Sequence, residues 1–554
     1  MTALVPDVKD YGAIGNGTTD DTTAIQAMIT ALGYAHFTPG IYKCGTTASF
    51  IAPLTFDFGA ALTVPTTKIL TISGVIDSPR QFIFQGAGTY SLKHDTTTGV
   101  GEDTRQVHAS WFGAFPNSNA GADQAPFINT AFASMGNTRE SIVDFDIGNY
   151  NISSQITVTR GGWVRGSGAR RTVFKLDTDS FDVFITNEVA CKFTDFHFEN
   201  HGALSRNNAY IKIAHSDCEL QNLEIRGLSK QGIVIAAGAN RTRINNIQAT
   251  YAAAPAAGSS VIEVNAGNIT INTVVAESSS FGPEAIVRIG TAATGNISNI
   301  LVTNVSSALP CVSVLVETSG GNIDGTLIED IRYSGFAGGA PSSIIKVVNT
   351  TRNVTDLIID RVFINGYPSC GLSFNQTGNG NMRDVSVNNC IVSGSTGTGI
   401  EFVASSGSMS EFFIGSNVDV GQRATPYSYS GTNMSDFKVN PMALPNVQPS
   451  YCYFFSIAND SVAIVDLHKS VFTGILMVTA ATSNYATYVV RAAPTPAGNT
   501  INTSANMATA TTALTGTTGT VGKFTTGITD GKLYFENRLG STQTVSVTLM
   551  TGVA

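Results

Sequence analysis

The sequence predicts an all-β chain built mainly as a parallel solenoid, and three observations lead there. From residue 191 an Asn or Asp followed by alternating apolar residues recurs at Asp195, Asn222, Asn246, Asn272, Asn299, Asp330, Asp360 and Asp384, spaced 24 to 31 residues apart. A period of that length with two-residue alternation inside it means one coil per repeat, and stacking supplies the core that a single coil lacks. Next, charged residues make up 13% of the 554-residue chain against 42% hydrophobic. Thr, Ser, Asn and Gly carry the polarity instead, which suits stacked strands with polar ladders. Finally, one phrase occurs twice. Residues 10–29 read DYGAIGNGTTDDTTAIQAMI and residues 110–132 read SWFGAFPNSNAGADQAPFINTAF.

Each copy of the phrase runs aromatic-Gly-Ala, a polar loop, Asp, then an apolar stretch of helical character. The Asp signals predict helices over Asp20 to Leu32 and Asp123 to Met135. A short strand ending Gly-x-Tyr follows each, at Gly40–Tyr42 and Gly148–Tyr150. The polar stretch 96–106 reads as a linker. Within the repeats a second strand is legible at AYIKIAH (209–215), GIVIAAG (232–238), SVIEVNAG (260–267), EAIVRIG (284–290), SIIKVVN (343–349) and GIEFVAS (399–405). Gly and Asn between strands make the corners, because both tolerate positive φ. The Asn-x-Ser/Thr triplets at Asn268, Asn296 and Asn304 belong to such corners and ladders. After about residue 435 the repeat ends, ALPNVQPS (443–450) breaks the chain, and six strand-like segments predict a compact antiparallel β-sandwich. The Thr-rich stretch 500–520 reads as either strand or loop.

The doubled motif, the phrase VRGSGARRTVFKL (164–176), the long solenoid and the Thr-rich β tail together resemble a bacteriophage tailspike with polysaccharide-depolymerising activity. The resemblance implies the right-handed, single-stranded parallel β-helix of the pectate-lyase-like superfamily. It also implies a head domain over 1–108, a β-helix capped by its helix over 109–435, and a C-terminal sandwich over 436–554 for trimerisation or carbohydrate binding. A tailspike of this kind is a homotrimer on the virion, attached to phage tail or baseplate proteins, acting on the host surface against a capsule or O-antigen. No long N-terminal virion anchor is legible, so either the first segment is the head or the sequence is a piece of a longer one.

Net charge is −8, which argues against a nucleic-acid binder with its need for a basic stripe. No basic-then-apolar leader and no apolar run near the ~20 residues of a membrane span is present, so no membrane insertion is expected. The seven cysteines are widely spaced, lack any C-x-x-C, and read as buried reduced thiols, with Cys191 and Cys218 in one register of consecutive repeats. The polygalacturonase signatures Asn-Thr-Asp, Gly-His-Gly and Arg-Ile-Lys are absent, as are nucleophile-elbow, zinc-protease and phosphate-loop motifs. No cofactor and no metal are expected.

Aligning coils on Asp195, Asn222 and Asn246 gives two outward columns: His197, Glu224, Gln248 and Glu199, Arg226, Thr250. Glu199 and Glu224 then stand diagonally, flanked by His197 and Arg226. Glycoside hydrolysis needs one carboxyl as acid and one as base or nucleophile. Glu199 and Arg226 equally suit a surface ion pair. The insertion 199–210, with His201 and Arg206, suits a groove wall. A second set of charges, Lys212, Glu263, Arg288, Lys346 and Glu401, falls on comparable positions of the other strand, with Glu277 and Glu284 before Arg288. Alternating charge there solubilises a face or binds an acidic sugar, and Glu263, Glu277 and Glu284 are reserve carboxylates. Tyr251, Tyr333 and Phe336 are candidate groove aromatics, whereas Trp111 and Trp163 read as structural. The leading expectation is an endo-acting glycoside hydrolase using a carboxylate pair. The alternatives are a polysaccharide lyase using Lys212, His215, Arg226 and Arg288, a non-catalytic adhesin, and a deacetylase.

Overall fold

The structure is a computed structural model. It describes all residues except 1–4, 94–104, 118–121, 136–140, 160, 179, 201–207, 229, 252–257, 278–282, 291–292, 294, 319, 335–341, 367, 394–396, 416, 421–424, 432–436, 440–449, 458, 467–471, 481–483, 493–496, 511, 530–531 and 552–554. The chain forms two compact units, residues 1–263 with 269–284, and residues 264–268 with 285–554.

In the first unit the doubled phrase builds one device twice. Helices α1 (Thr22–Leu32) and α2 (Ala125–Met135) each follow a short 3-10 turn, Val8–Tyr11 and Ala109–Phe112. Each turn closes on a left-handed glycine, Gly12 at φ 97° and Gly113 at φ 103°. The Asp20 carboxylate accepts the N–H groups of Thr22 (3.1 Å) and Gly45 (2.9 Å). Asp123 does the same for Ala125 (3.1 Å) and Ser153 (3.0 Å). One residue on, Asp21 accepts from Ile14 N (2.7 Å), and Gln124 takes that place by accepting from Phe115 N (3.1 Å). Both helices therefore start two residues later than the sequence suggests, because the Asp side chains are spent on tying loop to strand.

The segment between the two copies is itself a small parallel solenoid. Its three sheets are Asn16–Asp20, Gly40–Lys43, Ala60–Thr63 and Phe84–Gln85; Ala48–Phe50, Ile69–Ile72 and Thr89–Leu92; and Ala35–Phe37, Leu54–Phe56 and Ile76–Asp77. Residues 96–104 of the expected linker lie outside the described residues, and Arg105–His108 is a strand paired in parallel with Ser141–Asp144.

Beyond the second copy, Lys192–Asn200, Glu219–Arg226, Arg243–Thr250 and Ile269–Glu277 stack in parallel register. A second sheet runs Ile156–Val158, Phe184–Thr186, Ile211–Ile213, Gln231–Ile235. Phe174, Phe184, Phe193, Phe196, Phe198 and Tyr210 interlock edge to face between them, the geometry that ring quadrupoles favour.

Each of these coils carries two left-handed residues five apart: Ala190 and Asp195, Asp217 and Asn222, Arg241 and Asn246. The later member of each pair forms a ladder. Asn222 Nδ2 donates to Asp195 Oδ1 (3.0 Å), and Asn246 Nδ2 donates to Asn222 Oδ1 (2.8 Å). Asn and Asp suit these positions because a short polar side chain tolerates left-handed backbone. Where Arg stands instead, as at Arg241, a two-pronged ion pair to Asp217 (2.6 and 2.7 Å) offsets the strain. At the next coil the later left-handed residue is Thr273, one past the repeat anchor Asn272, whose amide donates to Asn245 (3.2 Å).

In the second unit one sheet stacks Ile297–Ser307, Ile323–Ser334, Val354–Asn365, Asn381–Ser393, Ser408–Ile414 and Phe437–Val439 in parallel. The other stacks Ala285–Ile289, Val312–Thr318, Ser343–Asn349, Cys370–Gln376, Thr398–Ala404 and Thr425–Gly431. The five-residue spacing holds at Asn299 and Asn304, Gly325 and Asp330, Asp356 and Arg361, Asp384 and Asn389. Asn299 and Asp384 thus belong to the earlier column, and Arg361, not Asp360, occupies the later one.

The last strand of the solenoid sheet, Phe437–Val439, lies just past the expected limit of 435, and Ser450–Ile457 pairs with it antiparallel. That strand continues into the sheet formed with Gln543–Thr551, Phe472–Ala480, Asn484–Ala492 and Ala497–Thr503. A facing sheet holds Ser461–Asp466, Lys532–Asn537, Phe524–Thr529 and Met507–Ala510, and the two share a core that includes Leu476, Tyr488, Phe524, Phe535 and Val547. The Thr-rich stretch resolves into two short strands and a loop. Buried Glu536 pins that loop by accepting Gly516 N (2.9 Å) and Gly519 N (2.6 Å).

Asn222→Val should lower the thermal midpoint well below that of Asn222→Gly. Valine both loses the ladder and strains at φ 54°, together about 2–4 kcal/mol, whereas glycine keeps the backbone. Paired calorimetric melts check this.

Candidate functional site

The register places His197 opposite Glu224 and Gln248, and Glu199 opposite Arg226 and Thr250, as the sequence alignment predicts. Glu224 and His197 are nevertheless buried, at 3% and 4% exposure, although they stand on the outer face. The corner formed by residues 166–171 lies over them. Ala169 of that corner makes a backbone hydrogen bond to His197, and Arg170 reaches Glu224 two coils on.

Glu224 is clasped on both oxygens. Arg226 Nε donates to Oε1 (2.8 Å) and Arg170 Nε donates to Oε2 (3.0 Å). Burial works to raise its pKa, but the hydrogen bonds and charges of the two guanidiniums outweigh it and hold the carboxyl below its ordinary value. Glu224 is therefore ionised at neutral pH. The His197 pKa is lowered as well: burial first, then Arg226, lowers it against the pull of Glu224 and Glu199. Its imidazole is neutral at pH 7, and Nδ1 has no hydrogen-bond partner among the described residues.

The ion pair between Glu199 and Arg226 that the sequence also suited does not form. Arg226 turns along its own strand to Glu224, and Glu199 meets Lys175 of the preceding coil at 3.8 Å. Arg170 and Lys175 were missed. Both lie in the quoted phrase VRGSGARRTVFKL, whose paired arginines after a glycine corner are the available signal, but nothing in the chain order says that Arg170 crosses two coils.

The remaining candidates scatter. His201, Arg206 and Phe336 lie outside the described residues. Lys212 pairs with Asp182 (3.1 Å), and the same carboxylate accepts Ala209 N (2.9 Å). Glu263 is buried and receives the Gln231 amide. Glu277 continues the column of Lys175, Glu199, Arg226 and Thr250 at its exposed end. Glu284 ties a loop by accepting Gly258 N (2.8 Å). Tyr251 and Tyr333 are buried, so neither forms a groove wall. In the second unit Arg288 meets Glu317 (3.4 Å) and shares a column with Leu315, Lys346, Ser373 and Glu401. Trp111 is buried with Nε1 donating to Pro79 O (3.2 Å). Trp163 stands between Arg165 and Lys192 and donates to Thr194 Oγ1 (2.8 Å).

The second unit also has a cleft lined by Leu327, Glu329, Ile358, Asp360, Asn388, Asn389 and Asn417. Arg361 occupies its carboxylates, meeting Glu329 (2.6 Å) and Asp360 (2.6 Å), and also pairs with Asp330 (2.9 Å). Among the described residues no group of three or more His, Cys, Asp or Glu is arranged to hold a metal ion. The first unit is thus where a carboxylate pair, a neutral imidazole and two arginines meet on one face.

No family model and no curated protein matches the chain. Among solved structures, the tailspike protein of Acinetobacter phage vB_ApiP_P1 is similar at 11% identity over 83% of this chain and 89% of that one, with a TM-score of 0.34. A mutant tailspike protein of E. coli bacteriophage HK620 in complex with a pentasaccharide is similar at 11% identity over 99% and 93%, TM-score 0.37. The A-module of an Azotobacter vinelandii mannuronan C-5 epimerase is similar at 11% identity over 60% and 96%, TM-score 0.34. At these TM-scores the likenesses carry no weight for function, which rests on the side chains just described.

The Glu224 clasp makes stability depend on pH. A carboxyl with a depressed folded pKa contributes stability that is fully present above its ordinary value, 4.5, and is lost as pH falls through the lower folded value. Glu224→Gln should flatten that acid limb, and Arg170→Ala should move the loss to higher pH. Melting midpoints measured from pH 7 down to pH 3 read both outcomes.

Proposed function

We propose that this chain is a tailspike-like, endo-acting glycosidase that binds and cleaves a bacterial surface polysaccharide, a capsule or O-antigen, on the outer face of its first unit. The observation that carries the reading is Glu224, a buried carboxylate kept ionised by Arg170 and Arg226 beside a second, more exposed carboxyl at Glu199. Two carboxyls in unlike environments suit the division of labour that glycoside cleavage requires. Glu199 donates the proton to the leaving glycosidic oxygen. Glu224 supplies the second carboxylate, as nucleophile or as base for the attacking water. Arg226 and Arg170 keep Glu224 charged and oriented.

Glu224→Gln and Glu199→Gln should each lower turnover by about 10²–10⁴-fold while binding persists. The substrate is polysaccharide from a strain whose capsule or O-antigen the protein strips. Mass spectrometry of the products decides the chemistry: repeat units gaining one water fit hydrolysis. Unchanged turnover in both variants would sink the carboxylate pair.

One observation favours a second reading, β-elimination on a uronic-acid polymer. Neutral His197 next to Arg226 combines a base with a cation able to neutralise a uronate. Products lacking the added water and carrying an unsaturated end would establish it.

Assembly as a homotrimer carried on the virion belongs to the same proposal. The outer face of the second unit keeps Ile358, Phe363, Ile391 and Phe413 at 42–43% exposure, apolar area that further copies of the chain would cover. Light scattering should give three times the chain mass, and a monomer mass would count against it.

A further inference from the structure

Six of the cysteines are buried thiols, and two of them stand opposite each other on neighbouring strands. Lys192 faces Glu219 in parallel register, so Cys191 and Cys218, each one residue earlier, face each other too. Adjacent strands lie roughly 4.8 Å apart, inside the ~4.4–6.8 Å that Cα atoms of disulfides span. Both side chains are interior, at 0% and 1% exposure, and lie against each other. The coil before offers Gly162 at this position and the coil after offers Thr242. Cys370 and Cys390, by contrast, face Ser343 and Thr398, and Val362.

We propose that Cys191 and Cys218 form an oxidisable pair that closes to a disulfide between consecutive coils once the protein meets an oxidising surrounding. The strands that begin just after the two cysteines carry His197 with Glu199 and Glu224 with Arg226, so the bond fixes their register at a shared start. Its link to activity rests on the proposed function; the bond itself does not.

The chemistry is a two-step exchange with a small-molecule disulfide. One protein thiolate attacks a sulfur of the oxidant and releases one small thiol. The other thiolate then displaces the second small thiol, forming the Cys191–Cys218 bond. The two protein protons end on the released thiols. Cys218 is the first to lose its proton, because the Cys191 thiol and backbone N–H groups hydrogen-bond to it and outweigh its burial. Burial makes the exchange wait on local opening, so it is slow.

The test incubates the full chain with oxidised glutathione, in buffer and in sub-denaturing urea, then alkylates remaining thiols with iodoacetamide under denaturing conditions. Tryptic peptides 176–192 and 213–226 should appear joined, two hydrogens lighter than their sum, with the other five cysteines alkylated. Dithiothreitol should separate them. The oxidised protein should melt several degrees higher than the reduced one, and Cys191→Ser should show neither the joined peptide nor the rise. Glutathione adducts on either residue, or full alkylation of both after the urea incubation, would overturn the proposal. Neither readout uses a substrate, so failure of the glycosidase reading would leave this result intact.

Discussion

Each coil must turn twice without breaking its ladder of hydrogen bonds, and two left-handed residues five apart do this wherever both are seen. That spacing holds from Ala190 and Asp195 to Asp384 and Asn389. Left-handed backbone is costly for any residue with a Cβ, and at the polar positions the side chain gains something in return. Asn donates a rung to the coil before, and Asp accepts one from the coil after. Arg241 and Arg361 gain ion pairs to Asp217 and Asp330, whose carboxyl pKa values those same arginines depress. Because each rung joins equivalent positions of consecutive coils, it also fixes register, and register decides which side chains become neighbours.

The candidate site follows from that constraint. Fixed register sets His197 beneath Glu224 and Glu199 beneath Arg226, and alternation sends all four to the outer face. An outer face is ordinarily wet, and a carboxylate there is an ordinary carboxylate. The corner at 166–171 changes this by covering His197 and Glu224. Low dielectric strengthens the hold of Arg170 and Arg226 on Glu224, and it drives His197 neutral. Burial and charge thereby keep Glu224 charged and His197 neutral at pH 7. The same stacking that aligns these polar side chains outside aligns Cys191 and Cys218 inside, because both pairs obey one register.

The doubled opening motif shows a different economy. In both copies an Asp ahead of the helix ties a loop to a strand, and its neighbour, Asp21 or Gln124, holds the turn before it. Asp-to-Gln at that second place changes charge but keeps an acceptor of similar reach. The motif is thus defined by hydrogen-bond acceptors and a left-handed glycine, and the helix that follows occupies an end that would otherwise expose a sheet edge.

Fold class, coil period, the two opening motifs and the columns His197–Glu224 and Glu199–Arg226 were all legible in the sequence. They depend on local periodicity: two-residue alternation sets the face, and the spacing of Asn and Asp sets the coil. What the sequence left open involved choices between neighbours of similar type. Asn272 and Thr273, or Asp360 and Arg361, cannot be ranked for the left-handed position without the coil before and after. Arg170 was out of reach for a stronger reason. It lies 54 residues before Glu224, and only the stacking of coils brings its guanidinium to that carboxylate. The ion-pair choices of Arg226 and Glu199, and the burial of Glu224, Glu263 and Tyr251, were likewise decided by tertiary structure. Chain order fixes which residues can share a face, whereas the loops packed over that face decide which of them lose water.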